Sequence, residues 1–457
     1  MKLDETIEAL KRGEIVHAGE RVLCAVSGGA DSVALLAIMR DAADAAGYEL
    51  CAAHVHHGIR AESDEELEFV RGLCRQLGVP LYVHRADVLA LAQQSGEGIE
   101  SAARRVRYDF FYSAAREHGC TLIALAHHSR DQAETVLMHA LRGASVSGLC
   151  GMRPRAGMLV RPLLDVAPEE LRAYLAEHGL EFREDASNAD TRYTRNYVRH
   201  VILPACERAY PGSREGLCRL ARSAALDDDF IERAVDAAAS GCLCEYPGGL
   251  CICVEKMSRL HPAIQARIAA RAMRATGQDA EYAGIQRILA AIQGEAATLP
   301  GGVRVSRGAR RVYLELPDRG APDYEVMLPA MCELPVELSI PGGKVRLEKA
   351  ARDANGGFEH GDGRHVQTLD AEALSGAVLR VRRMGDEIYP LGAPGRKKFK
   401  DYLIDHKVDR QVRDYLPVLA RGNRIIWALG VGVARDAALS GQTHAAVTLR
   451  WDGNGIW

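Results

Sequence analysis

No apolar run in the 457-residue chain approaches the roughly 20 positions that a membrane-spanning helix requires. Met1-Lys-Leu-Asp-Glu at the start predicts a polar helix rather than a signal peptide. The 12 cysteines are too sparse for a disulfide scaffold and mostly sit within apolar runs, which points to reduced thiols and a cytoplasmic protein. A strong charge of either sign is also missing. With a formal net charge of −3 and a pI near 6.6, any nucleic-acid surface has to be local. There is no internal repeat and no low-complexity segment. What is present, 47% hydrophobic and 26% charged residues, describes a soluble globular chain of about two to four domains.

The most informative stretch is Arg21-Val-Leu-Cys-Ala-Val-Ser27-Gly28-Gly29-Ala30-Asp31-Ser32. A buried apolar strand stops at a serine and two glycines, and a helical pattern begins at once. Glycines allow positive φ and close approach of a ligand to the main chain. Successive N–H groups and the positive end of the new helix then face one concavity, which suits a phosphate or pyrophosphate. The Lys-Ser/Thr pair of a Walker A loop and the third glycine of the dinucleotide fingerprint are both absent. The bland alternative is a strand–turn–helix corner with Asp31 or Ser32 as helix cap.

From residue 21 to about 180, strand-like and helix-like stretches alternate. Strands read at 21–26, 49–55, 81–85 and 121–126, and helices at 32–46, 63–77, 100–118 and 131–141. That order predicts an α/β fold with a parallel sheet and ligands at the carboxyl ends of the strands. His54-Val-His56-His57-Gly58-Ile-Arg60 follows the second strand, without the HExxH spacing or cysteine partners of a zinc site. His127-His128-Ser-Arg130-Asp131 follows the fourth. Asp131 and Glu134 share one face of a starting helix, where carboxylates suit Mg²⁺ held jointly with triphosphate oxygens, or merely complement the helix dipole. Arg104 and Arg107 lie one turn apart on another helix, as a phosphate clamp or a solvated face.

Residues 214–297 have helical periodicity, broken at Tyr246-Pro-Gly-Gly249. Cys242, Cys244, Cys251 and Cys253 flank that turn as two C-x-C pairs. Both members of each pair should point to one face of a hairpin, as buried thiols in preference to a metal site. A second hairpin reads at 298–314. Beyond Pro317–Asp323 the chain turns to short strands. Leu379–Arg383 alternates apolar and basic residues like a half-buried strand. From 376 to 457 there are 14 Lys and Arg against 8 Asp and Glu, opposite to the whole-chain balance. Arg396, Lys397, Lys398 and Lys400 crowd a glycine-flanked turn there.

The Ser27–Ser32 loop resembles that of the N-type (PP-loop) ATP pyrophosphatases. The HVHHGIR, ESAARRVRY, HHSRDQAET, Gly148–Met152, Arg161-Pro162, Glu184–Asp190 and Tyr193–Asn196 blocks follow it in order. Together they resemble the tRNA(Ile)-lysidine synthetases over about 18–205, as does Gly395-Arg-Lys-Lys to Trp427 further on. The resemblance implies a PP-loop domain at 1–213, a mainly helical middle domain at 214–320 and a small α+β C-terminal domain at 321–457. It implies a cytoplasmic carbon–nitrogen ligase that adenylates O2 of the wobble cytidine (position 34) of the CAU anticodon of tRNA(Ile). L-lysine then displaces AMP from C2, converting codon specificity from AUG to AUA and amino-acid specificity from Met to Ile. ATP would sit on Ser27, Gly28, Gly29, Ala30, Asp31 and Ser32. Asp31, Arg104, Asp131 and Glu134 would be catalytic, the last two with Mg²⁺. His54, His57, Arg60, His127, Asp185, Asn188 and Arg195 would line the substrate site, with His54 and His57 candidates for proton removal. The Arg396–Lys400 cluster would bind tRNA, no membrane partner is implied, and a homodimer is admitted. One departure stands out: Arg130 occupies a position that is usually acidic in this family, as a harmless replacement of a metal ligand, a phosphate contact or a surface residue.

Two other readings compete. A tRNA-thiolating pyrophosphatase needs a catalytic cysteine or C-x-x-C cluster, whereas Cys24, Cys51, Cys74, Cys120 and Cys150 are isolated. A catalytically dead RNA-binding protein is opposed by the intact Asp31, Asp131 and Glu134.

Overall fold

Val22, Leu23 and Cys24 are wholly buried in β1 (Arg21–Ala25), as an apolar run with parallel neighbours on both sides must be. The computed structural model describes residues 2–56, 63–183, 191–352 and 357–453. The chain divides into two units, Met1–Phe230 and Ile231–Trp457.

In the first unit β1 is joined by β2 (Glu49–His56), β3 (Leu81–Arg85), β4 (Leu122–Ala124), β5 (Arg155–Ala156) and β6 (Leu159–Val160) in the order β3-β2-β1-β4-β6-β5. All pairs are parallel except β5 with β6. Helices α1 (Lys2–Lys11), α2 (Ala30–Ala46), α3 (Ser63–Leu77), α4 (Val88–Ser95), α5 (Ile99–Glu117), α6 (Ser129–Leu141), α7 (Val146–Leu149) and α8 (Pro168–Glu177) connect or flank them. Strand alternation sends Val22 and Cys24 to a core shared with α2 and α8. It sends Leu23 to the opposite core, with Val106, Phe111 and Ala115 of α5. The chain runs outward from β1 to β3 and then returns to the far side of β1 with β4. The direction therefore reverses between β1 and β4, where an open parallel sheet presents its crevice. A short helix α9 (Thr194–Tyr197), a π-helical turn (Val198–Ile202) and α10 (Leu203–Ala209) lead into α11 (Ser213–Cys242).

The second unit begins within α11. The two hairpins expected from sequence are β7 (Leu243–Tyr246) with β8 (Gly249–Cys253), and β10 (Arg304–Arg307) with β11 (Arg311–Glu315). Pairing of β8 with β11, and of β9 (Ala297–Thr298) with β10, joins them into one antiparallel sheet, which the local patterns did not reveal. Helices α12 (Val254–Ser258), α13 (Pro262–Ala275) and α14 (Tyr282–Ile292) complete this part. Beyond residue 320 come two further sheets. One contains Val378–Val381 and Pro417–Arg421, and the other Val336–Ile340 and Ala446–Trp451. The expected half-buried strand at 379–383 holds a surprise: Arg380 is 1% exposed and bidentate to Asp386 at 2.8 and 2.9 Å. Among the described residues no helix is long and apolar enough to cross a membrane.

Candidate functional site

At the end of β1 the chain turns on Gly28, whose φ of +92° is the reason for glycine there. An added Cβ would meet only ordinary contacts, the nearest at 3.5 Å. Ser32 locks the turn by accepting from Ser27 N at 3.1 Å and donating to Gly29 O at 2.8 Å. The cap of α2 is Gly29, with no side-chain cap bond, so neither Asp31 nor Ser32 is the helix cap of the bland alternative, although Ser32 is spent on the turn itself. Asp31 instead stands 41% exposed at the mouth of the loop, with His128 Nε2 3.4 Å from its carboxylate.

The loop after β4 supplies the facing wall. His128 caps α6: its Nδ1 accepts from Asp131 N at 3.3 Å, and Asp131 accepts from His128 N at 3.1 Å. In the neutral ring that leaves the proton on Nε2, toward Asp31. Burial works against a charged ring, but the Asp31 hydrogen bond and the charges of Asp131 and Asp31 outweigh it and raise the His128 pKa. His127 goes the other way. Burial, with Arg161, Arg195 and Arg104 nearby, pushes it down to about 4, so it is neutral at pH 7. Its Nδ1 is buried without a hydrogen-bond partner among the described residues.

Asp131 and Glu134 do share one face of α6, as their spacing predicts, and that face is closed by arginines. Arg195 donates to Asp131 and Glu134 at 2.8 Å each. Arg199 donates to Glu134 at 2.5 and 3.0 Å and to Asp131 at 2.9 Å. Glu134 is 0% exposed. Every oxygen of both carboxylates already accepts from an arginine or a backbone amide, so this pair does not fit a magnesium ion. Among the described residues no group of three or more His, Cys, Asp or Glu is arranged for a metal, the four middle cysteines included. Of the three acids Asp31, Asp131 and Glu134, Asp31 alone has room for a cation shared with phosphate oxygens, and one carboxylate suffices for Mg²⁺ in such sites.

Arg104, Arg161, Arg195 and Arg199 thus gather with these three carboxylates around the two loops, giving a site with cationic excess. Arg104 itself is exposed on α5 and lies over the Tyr108 ring at 4.9 Å. Arg161 is 9% exposed and donates to Arg153 O at 2.8 Å. Arg199 escaped the sequence reading although it lies four residues, one helical turn, beyond Arg195; that repeat was the available signal.

Other expected residues are placed as follows. His54 is 3% exposed with its Nδ1 2.9 Å from Val26 O, and burial lowers its pKa. That bond ties one ring nitrogen to the end of β1 and props the glycine loop. His57, Arg60, Asp185 and Asn188 lie outside the described residues. Arg130 pairs with Glu169 of α8, as its surface alternative expects. With Arg130 31% and Glu169 67% exposed, such a pair contributes about 1 kcal/mol or less. Arg130→Asp is accordingly expected to leave KM for ATP unchanged and to lower Tm only slightly. A raised KM would return Arg130 to the phosphate.

In the second unit Lys397–Lys398 forms a short strand against Glu387–Ile388, leading into the helix Phe399–Asp405. Arg396 pairs with Asp436 at 3.1 Å and Lys397 with Asp405 at 2.5 Å, while Lys398 and Lys400 are exposed. The cluster is therefore half neutralised within its own domain.

Comparison with known proteins gives two domain families: a PP-loop domain matching residues 2–206 and a TilS substrate C-terminal domain matching residues 377–451. A tRNA(Ile)-lysidine synthase of Clostridium perfringens is 30% identical over 98% of this chain and 99% of its own. One of Geobacter sulfurreducens is 33% identical over 94% of this chain and 93% of its own. A crystal structure of a TilS C-terminal domain is similar at 25% identity and a TM-score of 0.24, covering 29% of this chain and 98% of that one.

Proposed function

Since the chain belongs to the tRNA(Ile)-lysidine synthase family, we propose that its glycine loop binds ATP for the two-step synthesis of lysidine. In the first step O2 of the wobble cytidine bonds to the α-phosphorus and pyrophosphate leaves. In the second the amine of free L-lysine bonds to C2, a proton is lost and AMP departs. Adenylation is needed because O2 is otherwise a poor leaving group. The observation that carries this reading is the open Asp31 at the mouth of the glycine loop, faced by His128 and within reach of the Arg199 charge, with Arg161, Arg195 and Arg104 around the neighbouring His127. Ser27 to Ser32 would cradle the triphosphate with main-chain amides and the end of α2. Arg104 and Arg161 would face the charge that develops on the departing pyrophosphate. Mg²⁺ on Asp31 would, when bound, neutralise phosphate charge. Arg195 and Arg199, with Asp131 and Glu134, would position this wall rather than ligate metal.

Pyrophosphate release is measured with tRNA and lysine, with tRNA and a sulfur donor, and with neither co-substrate. Release beyond one equivalent per enzyme that requires lysine, with lysine incorporated into tRNA, supports the reading, and the same requirement for a sulfur donor would make the chain a thiolase. The thiolating alternative also lacks its chemistry near the loop: Cys24, Cys51, Cys74, Cys120 and Cys150 are all buried.

A wobble cytidine alone cannot identify one tRNA, so a second surface must hold the molecule, and the basic C-terminal domain is the candidate. Replacing Arg396, Lys397, Lys398 and Lys400 by Ala should weaken tRNA binding, mostly through the exposed Lys398 and Lys400. The log–log salt slope should fall by about 0.9 for each phosphate that the variant no longer neutralises. Turnover at saturating tRNA should persist. An unchanged affinity and slope would leave the cluster a solvated turn.

A further inference from the structure

Four cysteines surround the β7–β8 turn, and the proposed reaction uses none of them. Strand alternation would turn all four to one face, but Cys242 ends α11 rather than lying in β7, and it packs with Ile252 and Met257. Cys244 and Cys251 are directly opposed in the antiparallel register and face the other core, beside Tyr246 and Tyr313. Directly opposed residues of such a pair have Cα atoms about 4.5–5.5 Å apart, inside the window that a disulfide spans. The two sulfurs share a hydrogen bond, and Arg311 of β11 donates to Cys251 Sγ at 3.6 Å and also reaches Cys244. Cys251 is 0% exposed, whereas Cys244 is only half-buried, the more accessible residue of the pair.

We propose that Cys244 and Cys251 form a reversible thiol-oxidation site for hydroperoxides, with Cys244 the attacking sulfur, Cys251 the resolving one and Arg311 the cation that holds the thiolate. The Cys244 thiolate attacks one peroxide oxygen, the O–O bond breaks, and the alkoxide or hydroxide leaves and is protonated. The sulfenic acid on Cys244 then condenses with the Cys251 thiol, forming the S–S bond and releasing water. In total two thiols are oxidised, and one hydroperoxide is reduced to an alcohol (or water) plus water. An external dithiol reverses the change.

The ionisation of Cys244 supports the same roles. Its hydrogen bond from Cys251 lowers it most; burial opposes this, and Arg311 and Lys256 add to the lowering, leaving it at about 6. Sharing that bond and being buried raise Cys251, so the thiolate that attacks the peroxide is held on Cys244, and Cys251 gives its proton to the departing hydroxide only as it attacks the sulfenic acid. The groups facing Cys244 are thus Cys251 from β8, Arg311 from β11 and Lys256 from α12. The exposed Cys332 provides an internal reference thiol.

The test uses the full-length protein treated with hydrogen peroxide, then alkylated and digested with trypsin. The peptide Ala234–Lys256, which carries all four cysteines, should lose two hydrogens and regain them with dithiothreitol. The loss should persist in Cys242→Ser and Cys253→Ser and vanish in Cys244→Ser and Cys251→Ser. In Cys251→Ser a dimedone adduct should appear on Cys244. Alkylation of Cys244 in the untreated protein should reach its plateau near pH 7. A two-hydrogen loss surviving in Cys244→Ser or Cys251→Ser would overturn the proposal. So would a wild-type peptide that keeps its hydrogens while Cys332 oxidises. Since the wild-type result stands by itself, a variant that fails to fold does not rescue the idea.

Discussion

Asp31→Ala is expected to slow ATP–pyrophosphate exchange by about 10²–10³-fold and to leave Tm within about 1 °C of wild type. Asp31 is 41% exposed and its near neighbour is His128 Nε2 at 3.4 Å, so the fold does not lean on it. Unlike Asp131 and Glu134, its carboxylate is not closed over by arginine. Removing an electrostatic interaction of that kind at a reacting phosphate typically costs about 3–4 kcal/mol of transition-state stabilisation. Exchange measured with saturating tRNA, beside a thermal melt, separates the two effects. Exchange within threefold of wild type would remove Asp31 from the chemistry. Asp31→Asn retains the shape and loses the charge, and should fail nearly as badly.

The contrast between Asp31 and Asp131 shows where the sequence was legible. Both follow strands of a parallel sheet, and from that alone both read as ligand-facing acids. The first four strands, the glycine loop and the α6 face were all readable because each is local: an apolar run, a positive-φ glycine, a spacing of three. What Asp131 touches was not local. Its partners Arg195 and Arg199 come from some 64 and 68 residues away, so no spacing rule could distinguish a metal ligand from the anchor of an arginine clamp. Arg130 was illegible for the same reason, since its partner Glu169 lies 39 residues on in α8. Arg380 shows the complementary failure: its alternation places it on a polar face, but Asp386 and the carbonyls of Val381 and Gly422 take its whole guanidinium inside. Cys242 was assigned a strand direction although a helix reaches it first.

Glu134→Ala is expected to lower the Tm of the first unit by about 6–12 °C, the second large effect. With Glu134 removed, Arg195 and Arg199 keep their charges at 32% and 22% exposure but lose three of their five hydrogen bonds to this pair. Breaking a buried ion pair from one side costs about 3–5 kcal/mol, and the partial exposure of the arginines argues for the lower end. At about 2–4 °C per kcal/mol for a domain of this size, the shift follows. A second signature separates this network from a metal site. Removing both sides, in Glu134→Ala with Arg199→Leu, should recover part of the loss, because no orphaned charge remains at that end. The network also has a pH signature. Burial would raise the Asp131 pKa, but the charges of His128, Arg195, His127 and Arg199 prevail and hold it below its ordinary value. A carboxyl depressed in the folded state contributes stability that is present above about pH 4 and lost as pH falls through the folded value. Wild type should therefore lose stability below pH 4. If Glu134 were instead a magnesium ligand, the variant would melt with wild type and demand more Mg²⁺ for activity. A Tm within 2 °C of wild type, with that higher Mg²⁺ requirement, would overturn the clamp.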